Sequence, residues 1–197
     1  ALQELRASFQ DLVWAPAGSA AREPVLAKAA AVATAFKTQS DNITAEIADQ
    51  QAHAATVVQQ VNDAATELAR LNKTIRVAEL NKTDVGTLYD QRDLLALDLA
   101  KLTGAEVTVQ PDGQYDVAIG GVALVAGDTA TAMTVAGTPA AVSIGGTALP
   151  AGFSGELGAV VDVLNTTLPA YKKGLDDIAT AFAQQVNDQH KLGKGLD

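Results

Sequence analysis

The chain has no cysteine, two histidines, one tryptophan and one methionine in 197 residues, and aromatic side chains make up 4% of it. Without thiols there is no disulfide framework and no Cys-based zinc site. Basic residues are also scarce, 14 against 23 acids, for a net charge of -9. Nucleic acid and anionic membranes attract a basic footprint, so neither is expected as a partner. No run of about 18 apolar residues occurs, so no membrane-crossing helix is expected. The first residues, Ala1-Leu2-Gln3-Glu4, have neither an initiator methionine nor the basic-then-apolar layout of a signal peptide. A piece of a longer protein is the expected reading.

What the chain does have is apolar surface. At 48% hydrophobic residues it is too apolar to be disordered. Composition changes sharply along it. Residues 104–155 hold four acids (Glu106, Asp112, Asp116, Asp128), no Lys or Arg, and ten of the 16 glycines. This Gly-, Val- and Thr-rich block lies between two Ala-, Leu- and Gln-rich blocks, as a β module inserted into a helical one would.

Helical periodicity dominates the flanks. Leu2, Leu5, Phe9 and Leu12 share one helix face, and Pro16 and Gly18 are expected to end that helix. From Val25 to Ala78 an apolar seam runs in alternating steps of three and four, with Gln39 and Gln50 at seam positions. Two steps of four adjoin at Gln39-Ile43-Ile47, a stutter that locally unwinds a supercoil. At ~1.5 Å rise per residue the segment predicts a rod of about 80 Å. Pro24 is expected in its first turn. Thr87, with Asp90 three residues on, reads as the N-cap of a short helix that Gly104 stops. Val107, Val109, the Pro111-Asp112-Gly113 turn, Tyr115, Val117 and Ile119 predict a hairpin. Weaker strands are expected at 122–125, 131–136 and 141–144. Ser154 reads as the cap of a last helix, broken or kinked at Pro169 and ended by Gly193.

The expected fold is therefore α+β: an elongated antiparallel helical bundle or coiled-coil rod carrying a small antiparallel β domain. Residues 1–103 and 154–197 form a discontinuous helical rod domain. Residues 104–153 form the inserted β domain, a separate lobe. The helical packing seam is Phe36, Ile43, Ile47, Leu68, Leu71, Leu164, Leu175 and Phe182, all expected to be buried.

Chemistry is hard to find. His53 and His190 lie 137 residues apart. Neither has a second ligand at the spacing of joint ligation, apart from Asp49 four residues before His53. Asp176-Asp177 and Asp90/Asp93 could be acid/base pairs, but on amphipathic helices a solvated face is the plainer reading. Gly152-Phe153-Ser154-Gly155 lacks the spacing of a nucleophile elbow. The Gly-Gly pairs precede strands, without a nearby lysine, so they are not phosphate loops. No catalytic, cofactor or metal residues are assigned, and an enzyme is not expected.

Three stretches carry a family resemblance. Phe9-Gln10-Asp11-Leu12, Pro16, Ala21-Arg22 and Val25-Leu26-Ala27 resemble a signature near the N-terminal part of flagellar axial proteins. Asp90-Gln91-Arg92-Asp93-Leu94-Leu95, running on to Leu102-Thr103-Gly104, resembles the D-Q-R-D segment of the flagellar hook-associated protein 1 family. Phe182-Ala183, Asn187, Gln189-His190 and Gly193 are similar to that family's F-A…N-x-Q-H-x-x-G element. The motif positions are Phe9, Asp11, Leu12, Arg22, Asp90, Gln91, Arg92, Asp93, Asn187, Gln189 and His190.

The resemblance implies a structural, self-assembling subunit of the bacterial flagellum at the hook–filament junction. Its implied partners are other copies of itself, the hook protein and the second junction protein. It implies an extracellular place, reached through the flagellar secretion system without a cleaved signal peptide. The export chaperone site of the family's C-terminal helix is expected to lie outside this chain. Two alternatives stand: the second junction protein or a flagellin-like filament subunit, and, remotely, an enzyme module on a flagellar scaffold.

Overall fold

A computed structural model describes residues 1–14 and 19–192, with the side chains of 19–21 left aside. Pro16, Gly18 and Gly193, expected as helix stops, lie outside the described residues. The chain is α+β, with five α-helices and seven short strands among the described residues. Helix α1 is Leu2–Trp14, α2 is Ser19–Leu80, and α3 is Gly86–Thr103. Strands follow as β1 (Glu106–Val109), β2 (Tyr115–Ile119), β3 (Val122–Ala126), β4 (Thr129–Ala130), β5 (Met133–Ala136), β6 (Ala141–Ile144) and β7 (Thr147–Ala148). Helix α4 (Gly155–Asp162) passes through a π-helical turn at Val163–Thr167 into α5 (Leu168–Leu192).

Packing divides the chain into two compact units: Ala1–Glu46 with Leu168–Asp197, and Ile47–Thr167. The division falls inside the stutter of the α2 seam. In the first unit Leu5, Val25 and Val32 are buried, with Leu12, Phe36 and Phe182 packed around them. The rings of Phe36 and Phe182 lie 6.4 Å apart. Lys28 reaches Glu4 at 2.6 Å, tying α2 to α1.

The second unit has the larger core. Ala54, Val57, Val61, Ala65 and Leu68 of α2 meet Ala96 and Leu99 of α3, Leu157 of α4, and Val117, Ile119, Leu124, Met133 and Ile144 of the strands. The strands form two antiparallel sheets, β1-β2-β3-β4 and β5-β6-β7. The opening hairpin pairs Val107 with Val117 and Val109 with Tyr115. Gly120-Gly121 and Gly145-Gly146 close two-residue loops with φ of 53°, 82°, 57° and 83°. Both positions of such a loop need positive φ, which only glycine adopts freely.

Several local expectations are corrected. The β segment is not a lobe with its own core, because its inner faces pack on the middle of α2 and on α3. These strands are too short to bury both faces among themselves. Of the seam, Leu68, Leu71 and Leu164 are buried, whereas Phe36, Ile43, Ile47, Leu175 and Phe182 are only half-buried. Ile47 packs at the margin of the larger core, and Phe36 and Phe182 at the margin of the smaller one. Thr87 is inside α3, whose N-cap position is Val85. Asp84 instead accepts the Gly86 N–H at 3.0 Å, and this tight Asx contact starts the helix two residues earlier. Ser154 occupies the N-cap of α4 without a side-chain capping bond. Pro24 falls in the second turn of α2, not the first. Pro169 follows the π-helical turn, where the widened backbone accommodates a missing N–H.

The two ends of the β segment meet. Gly104 closes α3 in the left-handed conformation, its N–H on Ala100 O at 2.7 Å. A Cβ at Gly155 would lie 2.5 Å from Thr103 N, on a backbone with φ of +82°. Gly155→Ala should therefore destabilise the chain by more than about 2 kcal/mol, the clash adding to the left-handed strain. Gly113→Ala meets nothing within 4 Å, and should cost only the left-handed strain of about 1–2 kcal/mol. Urea midpoints of the two variants check this, and an equal or smaller loss for Gly155→Ala would contradict the close approach.

Candidate functional site: asparagine brackets and a buried arginine

Three helix asparagines in the second unit hold the β segment by its backbone. Asn62 of α2 donates to Met133 O at 3.0 Å and accepts from Met133 N–H at 2.7 Å. Asn165, in the π-helical turn, donates to Ala140 O at 2.8 Å and accepts from Ala140 N–H at 2.7 Å. Asn72 of α2 donates to Tyr115 O at 2.8 Å and accepts from Tyr115 N–H at 3.1 Å. Its amide also reaches Gly127 O at 2.6 Å. A primary amide carries the donor and acceptor of a peptide group, so each asparagine takes the place of a missing strand neighbour. Asn72 is fully buried, and its loss would strand several backbone groups at once.

Arg92, the third residue of the D-Q-R-D motif, completes the Asn72 bracket. It is buried on α3, and its Nη1 donates to Gly113 O at 2.8 Å, in the hairpin turn. A longer contact runs to Asn72 Oδ1 at 3.5 Å. The guanidinium lies 3.7 Å from the centre of the Tyr115 ring and 5.1 Å from that of Tyr89. No carboxylate forms an ion pair with it among the described residues. The charge is held by a carbonyl and two aromatic faces, a setting that suits a planar, weakly hydrated cation and not an ammonium.

The tyrosines are held in turn. Tyr115 Oη donates to Asp93 Oδ1 at 2.8 Å, and Tyr89 Oη donates to Glu79. The hydrogen bond to Asp93, then partial burial, raises the Tyr115 hydroxyl above its ordinary pKa of 10.0. Asp116 accepts from Gly127 N–H and from Gln110 Nε2, both at 2.7 Å, and fixes the hairpin end that Asn72 grips.

The motif positions divide by location. Arg92, buried, and Asp93, exposed but bonded to the Tyr115 hydroxyl, serve this lock, whereas the exposed Asp90 and Gln91 take no part in it. In the first unit, Phe9, Leu12, Gln189 and His190 come together, with Val13, Phe182 and Val186, around one open apolar groove of about 720 Å³. Asp11, Arg22 and Asn187 are exposed and do not line it. Among the seam residues, Leu164 borders a smaller cavity with Ala54 and Val135, and Leu175 lines a groove with Val32 and Phe36.

His53 Nε2 lies 3.1 Å from Glu156 Oε1, a half-exposed pair joining α2 to α4. No group of three or more metal-ligating side chains occurs among the described residues. No described helix is long and apolar enough to cross a membrane.

Sequence reasoning found Arg92 only as a motif letter and missed the asparagines. Their signal was present: Asn62 and Asn72 interrupt an otherwise favourable helix with a weak helix former. Asn72→Ala should cost about 2–4 kcal/mol by leaving buried backbone groups unpaired, while exposed Asn187→Ala should stay within about 0.5 kcal/mol. Urea unfolding of the two variants compares them, and a near-neutral Asn72→Ala would refute the bracket.

A second outcome concerns pH. A phenol whose pKa is raised on folding stabilises the fold below its unfolded value of 10.0. That contribution is lost as pH rises through the higher folded value. Tyr115→Phe should therefore be less stable than the wild-type chain at pH 8, with the gap closing above pH 10. A gap that stays constant to pH 11 would show that the Asp93 bond contributes nothing.

Against known proteins, residues 1–197 match the family described as "Flagellar hook-associated protein FlgK helical domain". Flagellar hook-associated protein 1 of Escherichia coli (strain K12) is 30% identical over 98% of this chain. Its counterpart in Salmonella typhimurium (strain LT2) is 31% identical over 100% of this chain. The chain spans 38% of the length of each of these relatives. The flagellar hook junction protein FlgK from Burkholderia pseudomallei superposes with a TM-score of 0.70 at 22% identity, over 82% of this chain and 32% of that one, a likeness of fold. The whole-length family match places this chain in the flagellar hook-associated protein family, as its FlgK helical domain.

Proposed function

We propose that the protein is a structural subunit of the flagellar hook–filament junction and has no catalytic role. The observation that carries this reading is the family match over residues 1–197, reinforced by relatives at 30–31% identity that bear the hook-associated name. On this reading its partners are further copies of itself, the hook protein and the second junction protein. It works outside the cell, exported by the flagellar secretion system without a cleaved signal. Neither nucleic acid nor membrane is a partner.

The domain reading fits the same proposal. Residues 1–103 and 154–197 are the helical part, and 104–153 is an insertion between two helices. The close approach of Gly155 to Thr103 supports it, since an insertion must leave and return at one point. Burial of the strands against α2 adds that the insertion shares its core with the helices. The seam residues hold the helices together, and the groove of Phe9, Leu12, Gln189 and His190 joins the first motif to the third.

Deleting the gene for the full-length protein tests the reading. Cells should build hooks, fail to retain filaments and lose swimming, and the full-length gene should restore all three. Labelled protein should sit in a short zone at the hook end. Normal swimming in the deletion strain would overturn the proposal, and label spread along the whole filament would favour a filament subunit.

A further inference from the structure

Two outward helix stripes in the second unit are more apolar than a solvated face should be. On α2, Lys73, Val77 and Leu80 stand at i, i+4 and i+7, with Lys82 just beyond. On α3, Asp90, Leu94 and Leu97 repeat the same spacing, with Asp98 beside them. Val77, Leu80, Leu94 and Leu97 are 49%, 80%, 62% and 51% exposed. The opposite faces of these helices already supply the core, through Leu68, Leu71 and Ile75 on α2 and Ala96 and Leu99 on α3. The stripes therefore have no work left inside the chain.

The charges that flank them are complementary. The side chains of Lys73, Lys82 and Asp90 make no hydrogen bond or ion pair among the described residues, although the Lys82 backbone N–H donates to Glu79 O. Asp98 holds only Lys101, at 3.5 Å. The α2 stripe is thus apolar between two free cations. The α3 stripe is apolar between a free acid, Asp90, and the loose Asp98–Lys101 pair, whose acid lies beside the stripe and whose cation ends it. Helices α2 and α3 run antiparallel in the chain, since Glu79 meets Tyr89 while Asn72 meets Arg92. Laying the α2 stripe of one copy on the α3 stripe of a like-oriented copy brings Lys82 to Asp90 and Lys73 to Asp98. The four apolar side chains fall between them.

We propose that these stripes are the two halves of a self-interface, with α2 of one copy docking on α3 of the next. The proposal rests on the self-association in the reading above and names the surface that carries it. The complement lies on the same chain, so a second copy is the occupant. The two halves differ, so the contact is head-to-tail and can repeat around a ring. It also gives a role to Asp90, the outward residue of the D-Q-R-D motif.

The 197 residues contain no cysteine, so introduced thiols are read against wild-type full-length protein oxidised in parallel. Full-length protein carrying both Val77→Cys and Leu94→Cys should give a ladder of cross-linked oligomers when intact flagella are oxidised. Either substitution alone should leave monomers, because neither position meets its own copy. Adding Lys82→Glu to the double variant should cut the ladder at least about fivefold, and further adding Asp90→Lys should restore it, as opposed charges set register more than affinity. Cross-linking by a single variant, or no ladder from double-variant protein present in flagella, would overturn the interface. Absence of the wild-type protein from flagella would instead overturn the junction reading itself.

Discussion

The second unit depends on one constraint: on the side that faces a helix, the strand starts have no strand neighbour, although Tyr115 pairs with Val109 and Met133 with Ile144 on the other side. Tyr115 begins β2, Met133 begins β5 and Ala140 immediately precedes β6. Each would bring a peptide N–H and C=O against α2 or the π-helical turn without a partner. An unpaired buried backbone group costs about 1–3 kcal/mol, comparable to several good contacts. The asparagine brackets remove that penalty at all three places. They also set position, since a bracket closes only when one particular residue stands opposite the amide. Apolar contacts among Val57, Val61, Leu124 and Ile144 supply the driving force but tolerate small slides. The brackets do not.

Arg92 extends the same logic to charge. A buried guanidinium without a carboxylate is costly unless its donors and its flat faces are both occupied. Gly113 O and, at longer range, Asn72 Oδ1 take Nη1, and the rings of Tyr89 and Tyr115 cover the faces, while the buried Nε has no hydrogen-bond partner among the described residues. Those rings stay in place because Glu79 and Asp93 hold their hydroxyls. The lock thus draws on α2, α3 and the first hairpin together, and each part presupposes the others. That interdependence explains why the β segment shares the helical core instead of standing apart.

Much of the architecture was legible because it rests on periodicity and turn chemistry. Leu2, Leu5, Phe9 and Leu12 mark α1 by spacing alone. The Pro111-Asp112-Gly113 turn and the Gly-Gly pairs mark hairpins by the backbone angles they allow. What stayed hidden depends on long-range pairing. Asn62 bonds Met133 across 71 residues and Asn72 bonds Tyr115 across 43, and no local pattern announces such a partner. The two-residue strands β4 and β7 exist only through their neighbours. Burial of Ile43 and Ile47 was overestimated because a seam shows which face is apolar, not how much lies against it.

The D-Q-R-D motif shows why a motif and a site are different things. Four consecutive residues on a helix cover more than a full turn, so they cannot all face one way. Arg92 turns to the core and Asp93 to the Tyr115 hydroxyl, while Asp90 and Gln91 turn to solvent. The inner pair is accounted for within the chain. The outer pair has no structural work in the described fold, although Leu94 and Leu97 extend its face with apolar surface that folding leaves uncovered. A helix that anchors the β segment by one side and offers an apolar, acidic stripe on the other couples the internal lock to whatever binds outside. On the self-interface proposed above, the same four residues serve both the stability of the unit and its assembly.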